Sequence, residues 1–162
     1  MPIDKQEFRR VLGHFAAGVT VVTTVGDDGT PYGLTATAFT SVSLEPPLVL
    51  VCVDKRSESH PHFHVSGVFA VNFLAVDHEH LSRRFAASGG DKFSELTIRK
   101  GVTGAPVLAE ALGHLECTTT EILEAGDHTI FLGQVEAADA REGEPLVYFR
   151  GAYRRIKGES QK

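Results

Sequence analysis

Strand-length runs of β-branched and apolar residues follow one another through short turns along most of this chain. Five of these runs are VTVVTTV (19–25), LVLVCV (48–53), GVFAVNFLA (67–75), HLECTTTEIL (114–123) and HTIFLGQVEAADA (128–140). Valine, isoleucine, threonine and phenylalanine favour a pleated, half-buried surface. Helix-like segments are few and do not alternate regularly with the strands, which disfavours a doubly wound parallel sheet. We therefore predict a mainly β fold with short helices, arranged as an antiparallel barrel.

The length and charge of the chain narrow its class further. Its 162 residues fit one domain, which we place at 1–156 with a short polar tail at 157–162. A formal net charge of −5 argues against nucleic acid as the main partner. No segment reaches the roughly 18 consecutive apolar residues of a membrane span, and the first ten residues lack a signal-peptide core. We expect a cytoplasmic protein that binds no membrane.

Two short amphipathic helices are predicted from capping residues and periodicity. The first begins after Asp4 and is expected to end near Gly18. The second is expected to begin after Asp77 and to present Leu81 and Phe85 on one face, since residues four apart lie on the same side of a helix. These faces are the ones that would pack against the sheet.

The segment GLTATAFTSVSLEPP (33–47) carries five hydroxyl side chains in what we predict to be one strand. One interpretation is a half-exposed strand, because threonine is a good strand former. The other is a binding surface, where small side chains let a flat ring lie close to backbone N–H groups while hydroxyls reach a phosphate. Cations follow nearby, at Lys55 and Arg56 and again at Arg83 and Arg84, as a phosphate requires.

Other chemistries find less support in the residues. Five histidines occur in two groups, at His60, His62 and His64 and at His78 and His80, but no cysteine accompanies them. We interpret them as surface residues and predict no metal site. Neither of the familiar glycine-rich nucleotide loops occurs, and no G-x-S-x-G nucleophile elbow is present. A nucleotide cofactor would have to be held in another way.

Two motifs carry a resemblance to a known family. The pattern T-A-x-x-F-x-S-V-S-x-x-P-P begins at Thr35, and the tripeptide G-D-H ends at His128. Together with HLSRRFA, DKF and LVYFRGAY, they make the chain similar to the short-chain flavin reductases, the reductase components of two-component flavin-dependent monooxygenases. The resemblance runs over nearly the whole chain. It implies a split β-barrel with Greek-key-like order that forms a homodimer and binds FMN or FAD in a groove near the subunit interface.

The resemblance also implies a set of site residues. The isoalloxazine would be lined by Thr35, Ala36, Thr37 and Ala38, with Ser41 toward the phosphate end. That wall would continue through Val53, Lys55, Arg56 and Ser57. Asn72 would approach the ring, and Arg84 and Phe85 would hold the phosphate side. His128, with Tyr153, would lie where the nicotinamide enters, and we assign His128 a positioning role.

The implied activity is hydride transfer from NADH or NADPH to FMN or FAD, in which the protein supplies orientation and electrostatics. Reduced flavin would then reach a separate monooxygenase component by diffusion. A flavin- or haem-binding split-barrel module without turnover is the alternative. A third possible function is an oxidase of pyridoxine-type phosphates. It is disfavoured because such an enzyme would need a more basic pocket than this sequence offers. The choices between FMN and FAD and between NADH and NADPH stay open at this point.

Overall fold

The structure, a computed structural model, describes residues 2–158 of the chain. Three α-helices lie in this range: α1 (Lys5–Leu12), α2 (His60–Ser66) and α3 (Glu79–Ala86). The twelve strands of the same range are β1 (Ala17–Gly18), β2 (Thr20–Val25), β3 (Pro31–Ala36), β4 (Phe39–Leu44), β5 (Pro47–Asp54), β6 (Val68–Phe73), β7 (Ile98–Lys100), β8 (Pro106–Leu108), β9 (Gly113–Ala125), β10 (His128–Ala140), β11 (Val147–Phe149) and β12 (Ala152–Arg154). The predicted mainly β class with short helices is confirmed.

Seven of these strands form one sheet in the order β3-β2-β6-β9-β10-β5-β4. Every neighbouring pair in it is antiparallel. The two end strands, β3 and β4, are consecutive in the chain but are not paired with each other. The sheet therefore curls without closing, which is the split β-barrel expected from the resemblance. Two smaller sheets, β1-β11-β12 and β7-β8, lie outside it.

The hydroxyl-rich segment, predicted as one strand, is two strands with different partners. At the end of β3, the Thr20 hydroxyl donates to the carbonyl of Ala36 at 2.6 Å. Two residues later, the carbonyl of Ala38 accepts from the N–H of Cys52 on β5 at 3.0 Å. The chain thus changes partner strand across Thr37, from one end of the sheet to the other. This crossing forms the seam of the split barrel.

The interior of the barrel is filled by side chains from alternate positions of the strands. Val51 and Val53 on β5, Phe69 on β6 and Phe131 on β10 are fully buried there. Phe63 of α2 joins this cluster, with its ring centroid 5.5 Å from that of Phe131. Burial of each such side chain contributes roughly 1.5–3 kcal/mol. The side chains that point inward from these strands therefore form the hydrophobic core of the barrel.

A second apolar layer packs on the outer face of β2 and β3. Leu81 and Phe85 of α3 are buried against Val21, as the predicted helix face requires. Gly33 of β3 permits the close approach, because a Cβ at this position would lie 3.1 Å from a carbon of the Phe85 ring. Helix α3 is held on the sheet by this contact, and its C-terminal end lies beside β3.

Two helix boundaries differ from the prediction. Helix α1 begins after Asp4, whose carboxylate accepts two backbone N–H bonds, but it ends at Leu12 instead of near Gly18. Gly18 belongs to β1, which pairs with β11. Helix α3 has His78 rather than Asp77 at its N-cap, and a ring nitrogen of His78 accepts the backbone N–H of Ala75 in the preceding turn. Within residues 2–158, no helix combines the length and the apolar character needed to cross a membrane.

Candidate functional site

A cavity of about 460 Å³ lies between β3, the turn after β5 and the end of α3. We call it the inner cavity. It is lined by Leu34, Thr35, Asp54, Arg56, Ser57, Glu58, Phe85, Ala86, Ala87, Ser88 and Lys92. Four of the predicted site residues, Thr35, Arg56, Ser57 and Phe85, meet there although they come from three separate segments of the chain. The structure thus brings together part of the site that the motifs implied.

Arg56 and Lys92 are the basic residues of the inner cavity, whose lining also includes the carboxylates of Asp54 and Glu58. The Arg56 guanidinium bonds the Asp54 carboxylate through two nitrogens, at 2.9 and 3.2 Å. This hydrogen bonding lowers the pKa of Asp54 to about 2, so Asp54 stays ionised at neutral pH. Lys92 Nζ donates to the carbonyl of Phe85 at 3.4 Å. Because Arg56 remains 82% exposed, a phosphate can compete with Asp54 for it.

Ser57 adds a hydroxyl to the same wall. Its backbone N–H donates to the Asp54 carbonyl at 3.0 Å, which fixes the turn after β5. Its Oγ accepts the N–H of Ser59 at 3.2 Å and keeps its own proton for a further acceptor. The end of β5 therefore presents one guanidinium and one hydroxyl to the inner cavity.

Thr35 and Tyr153 are connected through α3. The Thr35 hydroxyl donates to the carbonyl of Ser82 at 2.6 Å, and the Ser82 hydroxyl shares a 2.6 Å hydrogen bond with Tyr153 Oη. The guanidinium of Arg83 lies 5.1 Å from the centroid of the Tyr153 ring. Tyr153 therefore packs against α3 and is not part of the lining of the inner cavity.

His128 begins β10 and lies opposite Asp54 of β5 in the sheet. Its Nδ1 is 2.8 Å from Asp127 Oδ1, and its side chain is 41% exposed. His128 is thus near the Asp54–Arg56 pair while its ring is still open to solvent. Lys55 turns toward the β9–β10 hairpin instead, where its Nζ lies 2.7 Å from a carboxylate oxygen of Glu124.

Three predicted residues point into the protein. Ala36 and Val53 belong to the barrel interior, where both side chains are buried. Asn72 is also fully buried, and its amide is used within the fold. Its Nδ2 donates to the Val21 carbonyl and its Oδ1 accepts the N–H of Leu108, both at 2.9 Å. The structure does not bring these side chains to the inner cavity.

Thr37 and Ala38 are exposed at the barrel seam. Thr37 also lines an apolar cavity of about 440 Å³ together with Phe39, Phe73 and residues 15–20. Ser41 is exposed on the edge strand β4, opposite Val49. A flat ring thus has room beside Thr37, whereas Ser41 lies outside the lining of the inner cavity.

Arg84 lies one residue before Phe85, but it contacts the loop after α3 instead of the inner cavity. Its Nη1 donates to the carbonyl of Ser94 at 3.1 Å, which ties α3 to the following loop. It does not line the inner cavity. The basic residue near the end of α3 that lines the inner cavity is Lys92, which follows the helix, and not Arg84. The family resemblance includes the DKF motif but implies no role for Lys92. Nothing in the local sequence pattern shows that residues 86–92 fold back toward Arg56.

The histidines do not form a metal centre. Across residues 2–158, no three histidine, cysteine, aspartate or glutamate side chains are grouped as ligands would be. His60 lies 2.8 Å from the Thr129 hydroxyl, and His62 stacks on Tyr32 with a centroid separation of 3.6 Å. These contacts hold α2 on the end of the barrel. His78, predicted to be a surface residue, is instead buried.

Fold and cavity together define a split-barrel protein with a site suited to a phosphate-bearing ligand. A family model described as a flavin reductase-like domain matches residues 12–157. The chain therefore belongs to the flavin reductase-like family, as the motifs indicated.

Known proteins of this family resemble the chain over most of its length. The reductase component of a 4-nitrophenol 4-monooxygenase/4-nitrocatechol 2-monooxygenase from Rhodococcus opacus is 44% identical over 152 residues, or 94% of this chain and 81% of the relative. An NADH flavin reductase of Kitasatospora aureofaciens is 43% identical, over 94% and 82% of the two chains. The solved structure of a Streptomyces globisporus NADH:FAD oxidoreductase, in complex with NAD and FAD fragments, superposes with a TM-score of 0.91. It is 42% identical and covers 98% of this chain and 96% of that one.

Proposed function

We propose that this protein is an NAD(P)H-dependent flavin reductase that supplies reduced FMN or FAD to a separate monooxygenase component. The observation that carries the proposal is the inner cavity, where Arg56, Ser57 and Lys92 meet beside Thr35, two residues before the exposed Thr37. A phosphate needs such charged and hydroxyl donors, and an isoalloxazine needs an open, small-residue surface next to them. The relatives named above are flavin reductases or reductase components.

The residues fit a flavin by their chemistry. Arg56 and Lys92 would hold the flavin phosphate, and the Ser57 hydroxyl would donate to it. The backbone at Thr37 and Ala38 would lie against the ring, and the exposure of both residues supports this. A bound flavin accepts a hydride from the reduced nicotinamide, so the protein chiefly supplies orientation and electrostatics.

His128 would orient the nicotinamide in this scheme. Asp127 is hydrogen-bonded to Nδ1 at 2.8 Å and fixes the ring, which leaves Nε2 available for a carboxamide. His128 also lies opposite Asp54 in the sheet, and Asp54 is the residue that holds Arg56. Its position therefore suits a group that acts where the two cofactors meet.

The proposal includes a homodimer and a transient relation to the oxygenase. Exposed apolar side chains on the edge strand β4 and the β9–β10 hairpin support a self-association surface; they are Val42, Leu44, Ile122 and Leu123. Reduced flavin would pass to the oxygenase by diffusion, with no obligatory tight complex. A cytoplasmic location and a single domain over 1–156 remain predictions; residues 159–162 of the expected tail lie outside the described part of the chain.

The test is reductase activity of the purified protein with each pairing of NADH or NADPH with free FMN or FAD. We expect loss of the reduced nicotinamide absorbance with at least one pairing. His128→Ala should lower turnover strongly while flavin binding, measured by calorimetry, is retained. If no pairing gives turnover above the enzyme-free rate while flavin binds, the protein is a binding module and the proposed function is wrong.

A further inference from the structure

His60, the first residue of α2, is tied to the start of β10. Its Nε2 lies 2.8 Å from the hydroxyl of Thr129, the residue that follows His128 in the chain. Thr129 is fully buried and His60 is half-buried, so this hydrogen bond is largely shielded from water. Such a bond is costly to break, because a buried polar group that loses its partner keeps its desolvation penalty. The contact between α2 and β10 is therefore a fixed feature of this end of the barrel.

The Thr129 hydroxyl extends this bond into a network of four side chains. Both carboxylate oxygens of Glu124, which lies opposite Thr129 on β9, are 3.4 Å from that hydroxyl. One of them is also 2.7 Å from Lys55 Nζ, and this hydrogen bond lowers the pKa of Glu124. A carboxylate only accepts, so Thr129 donates to Glu124. The hydroxyl can then accept from His60, whose Nε2 carries the proton in this arrangement.

The network lies directly beside His128. Thr129 is the next residue, and its side chain points inward while that of His128 is 41% exposed. His128 follows the two-residue turn between β9 and β10, and its Nδ1 bonds Asp127 of that same turn. Strand ends open most easily, because they have paired neighbours on one side only. The Thr129–His60 bond therefore anchors this end of β10 to another element of the fold.

The backbone of His60 is joined to the turn that carries Arg56 and Ser57. That turn leads directly into α2, and the N–H of His60 donates to the Ser57 carbonyl at 3.1 Å. Arg56 and Ser57 line the inner cavity, where the proposed function places the flavin phosphate. His60 thus bonds the phosphate side with its backbone and the strand that presents His128 with its side chain. One residue links the two groups.

His64 provides a comparison within the same helix. It lies one turn after His60, and both rings meet the ring of Phe131 edge-on, with centroid separations of 5.2 Å for His64 and 6.2 Å for His60. The Nε2 of His64 is 3.9 Å from Glu124, beyond hydrogen-bond distance, and its side chain is 35% exposed. The two histidines therefore share an apolar neighbour and differ in the bond to Thr129.

We propose that His60 is a positioning residue for the reductase reaction: through Thr129 it holds His128 in place and so sets the affinity for the reduced nicotinamide. His60 does not line the inner cavity and acts only through Thr129. The inference rests on the proposed function, because it adds a residue to the same site. The flavin side is affected less, since Arg56 keeps its own bonds to Asp54 when the His60 bond is lost.

His60→Leu removes the hydrogen bond and keeps an apolar contact with Phe131. We expect the KM for NADH or NADPH, whichever the parent uses, to rise about fivefold, the effect of one lost hydrogen bond. The dissociation constant for flavin, measured by calorimetry, should change by less than about twofold. His60→Gln returns an N–H donor near the position of Nε2 and should restore the KM. His64→Leu is the matched control and should leave the KM unchanged.

Hydrogen exchange gives a second readout that needs no turnover. The N–H of Lys55 donates to the Asp127 carbonyl at 3.0 Å and closes this end of the sheet. In His60→Leu the amides of residues 127–131 and of Lys55 should exchange faster, whereas His60→Gln and His64→Leu should match the parent. Thr129→Val, with Thr129→Ser as its conservative counterpart, decides the question if His60→Leu does not fold, because valine keeps the shape of the side chain and loses the hydroxyl.

A folded His60→Leu variant with the KM of the parent would overturn the inference. So would an equal weakening of flavin and nicotinamide, or the same loss in His64→Leu, because either result would show a general loosening of α2. A parent protein that reduces no flavin would contradict the proposed function itself, and the positioning role with it. That failure appears before any variant is compared, so the two outcomes are distinguishable.

Discussion

The hydroxyl of Thr35 donates a hydrogen bond to the backbone carbonyl of Ser82 at 2.6 Å. This bond joins strand β3 to helix α3, the two elements that wall the inner cavity on one side. A side chain that the motif assigns to cofactor contact is therefore also part of the scaffold. Its two possible tasks, holding the wall and contacting the flavin, can be separated by substitution.

Thr35→Val should lower the free energy of unfolding by about 1 kcal/mol, because it removes one partly buried hydrogen bond and keeps the shape of the side chain. We also expect a several-fold rise in the KM for flavin, since the α3 wall loosens. Thr37→Val is the control for stability, because Thr37 is exposed and its hydroxyl has no partner among the described residues. Urea unfolding of both variants makes the comparison; equal effects would contradict the role of the Ser82 bond.

Arg56→Ala should raise the KM for FMN by about tenfold, since a charge-assisted contact to phosphate is lost. Riboflavin lacks the phosphate, so its reduction should be unaffected by the same substitution. Arg10→Ala is a matched control: Arg10 pairs with Glu7 on α1 in the same bidentate manner, away from the inner cavity. An equal loss with riboflavin and FMN would show that Arg56 acts only through the fold.

His78 should make the protein less stable as the pH falls. Burial lowers the pKa of His78 below its ordinary 6.5, and its Nδ1 accepts the N–H of Ala75 at 3.0 Å, which requires the neutral ring. The unfolded chain then binds the proton first, so stability rises with pH and is lost as the pH falls below about 6.5. The slope from this group cannot exceed about 1.4 kcal/mol per pH unit.

The comparison variant is His78→Asn, whose amide oxygen can accept the same N–H without titrating. Urea unfolding between about pH 7.5 and about pH 5.5 should show a smaller loss of stability for the variant than for the parent. Asp77 and Arg141 act on His78 in opposite senses, and both are present in the two proteins. A parallel pH dependence in parent and variant would exclude His78 as the source.

Asn72→Leu should destabilise the protein by roughly 2–4 kcal/mol, because the buried N–H of Leu108 loses its acceptor. The flavin dissociation constant of the folded protein should change by less than about twofold. Thermal unfolding and flavin titration give the two values independently. A large loss of flavin affinity at unchanged stability would instead support the ring contact that the family resemblance implies for Asn72.

The sequence by itself determined the class of fold and the family. Strand runs without regular helix alternation predicted the antiparallel barrel, and the spacing of Leu81 and Phe85 predicted the buried face of α3. These features are local, because side-chain periodicity and capping depend on neighbours within a few positions. The motifs around Thr35 and His128 were sufficient to indicate the flavin reductase-like family.

Only the tertiary structure decided which residues share the cavity. A period of two defines two faces of a strand but not which face is inside, so Ala36 and Val53 pack in the barrel while Thr35 faces α3. The partner strands change across Thr37, and the chain folds back to place Lys92 beside Arg56. Sheet order and long-range packing set these relations, and no local pattern carries them.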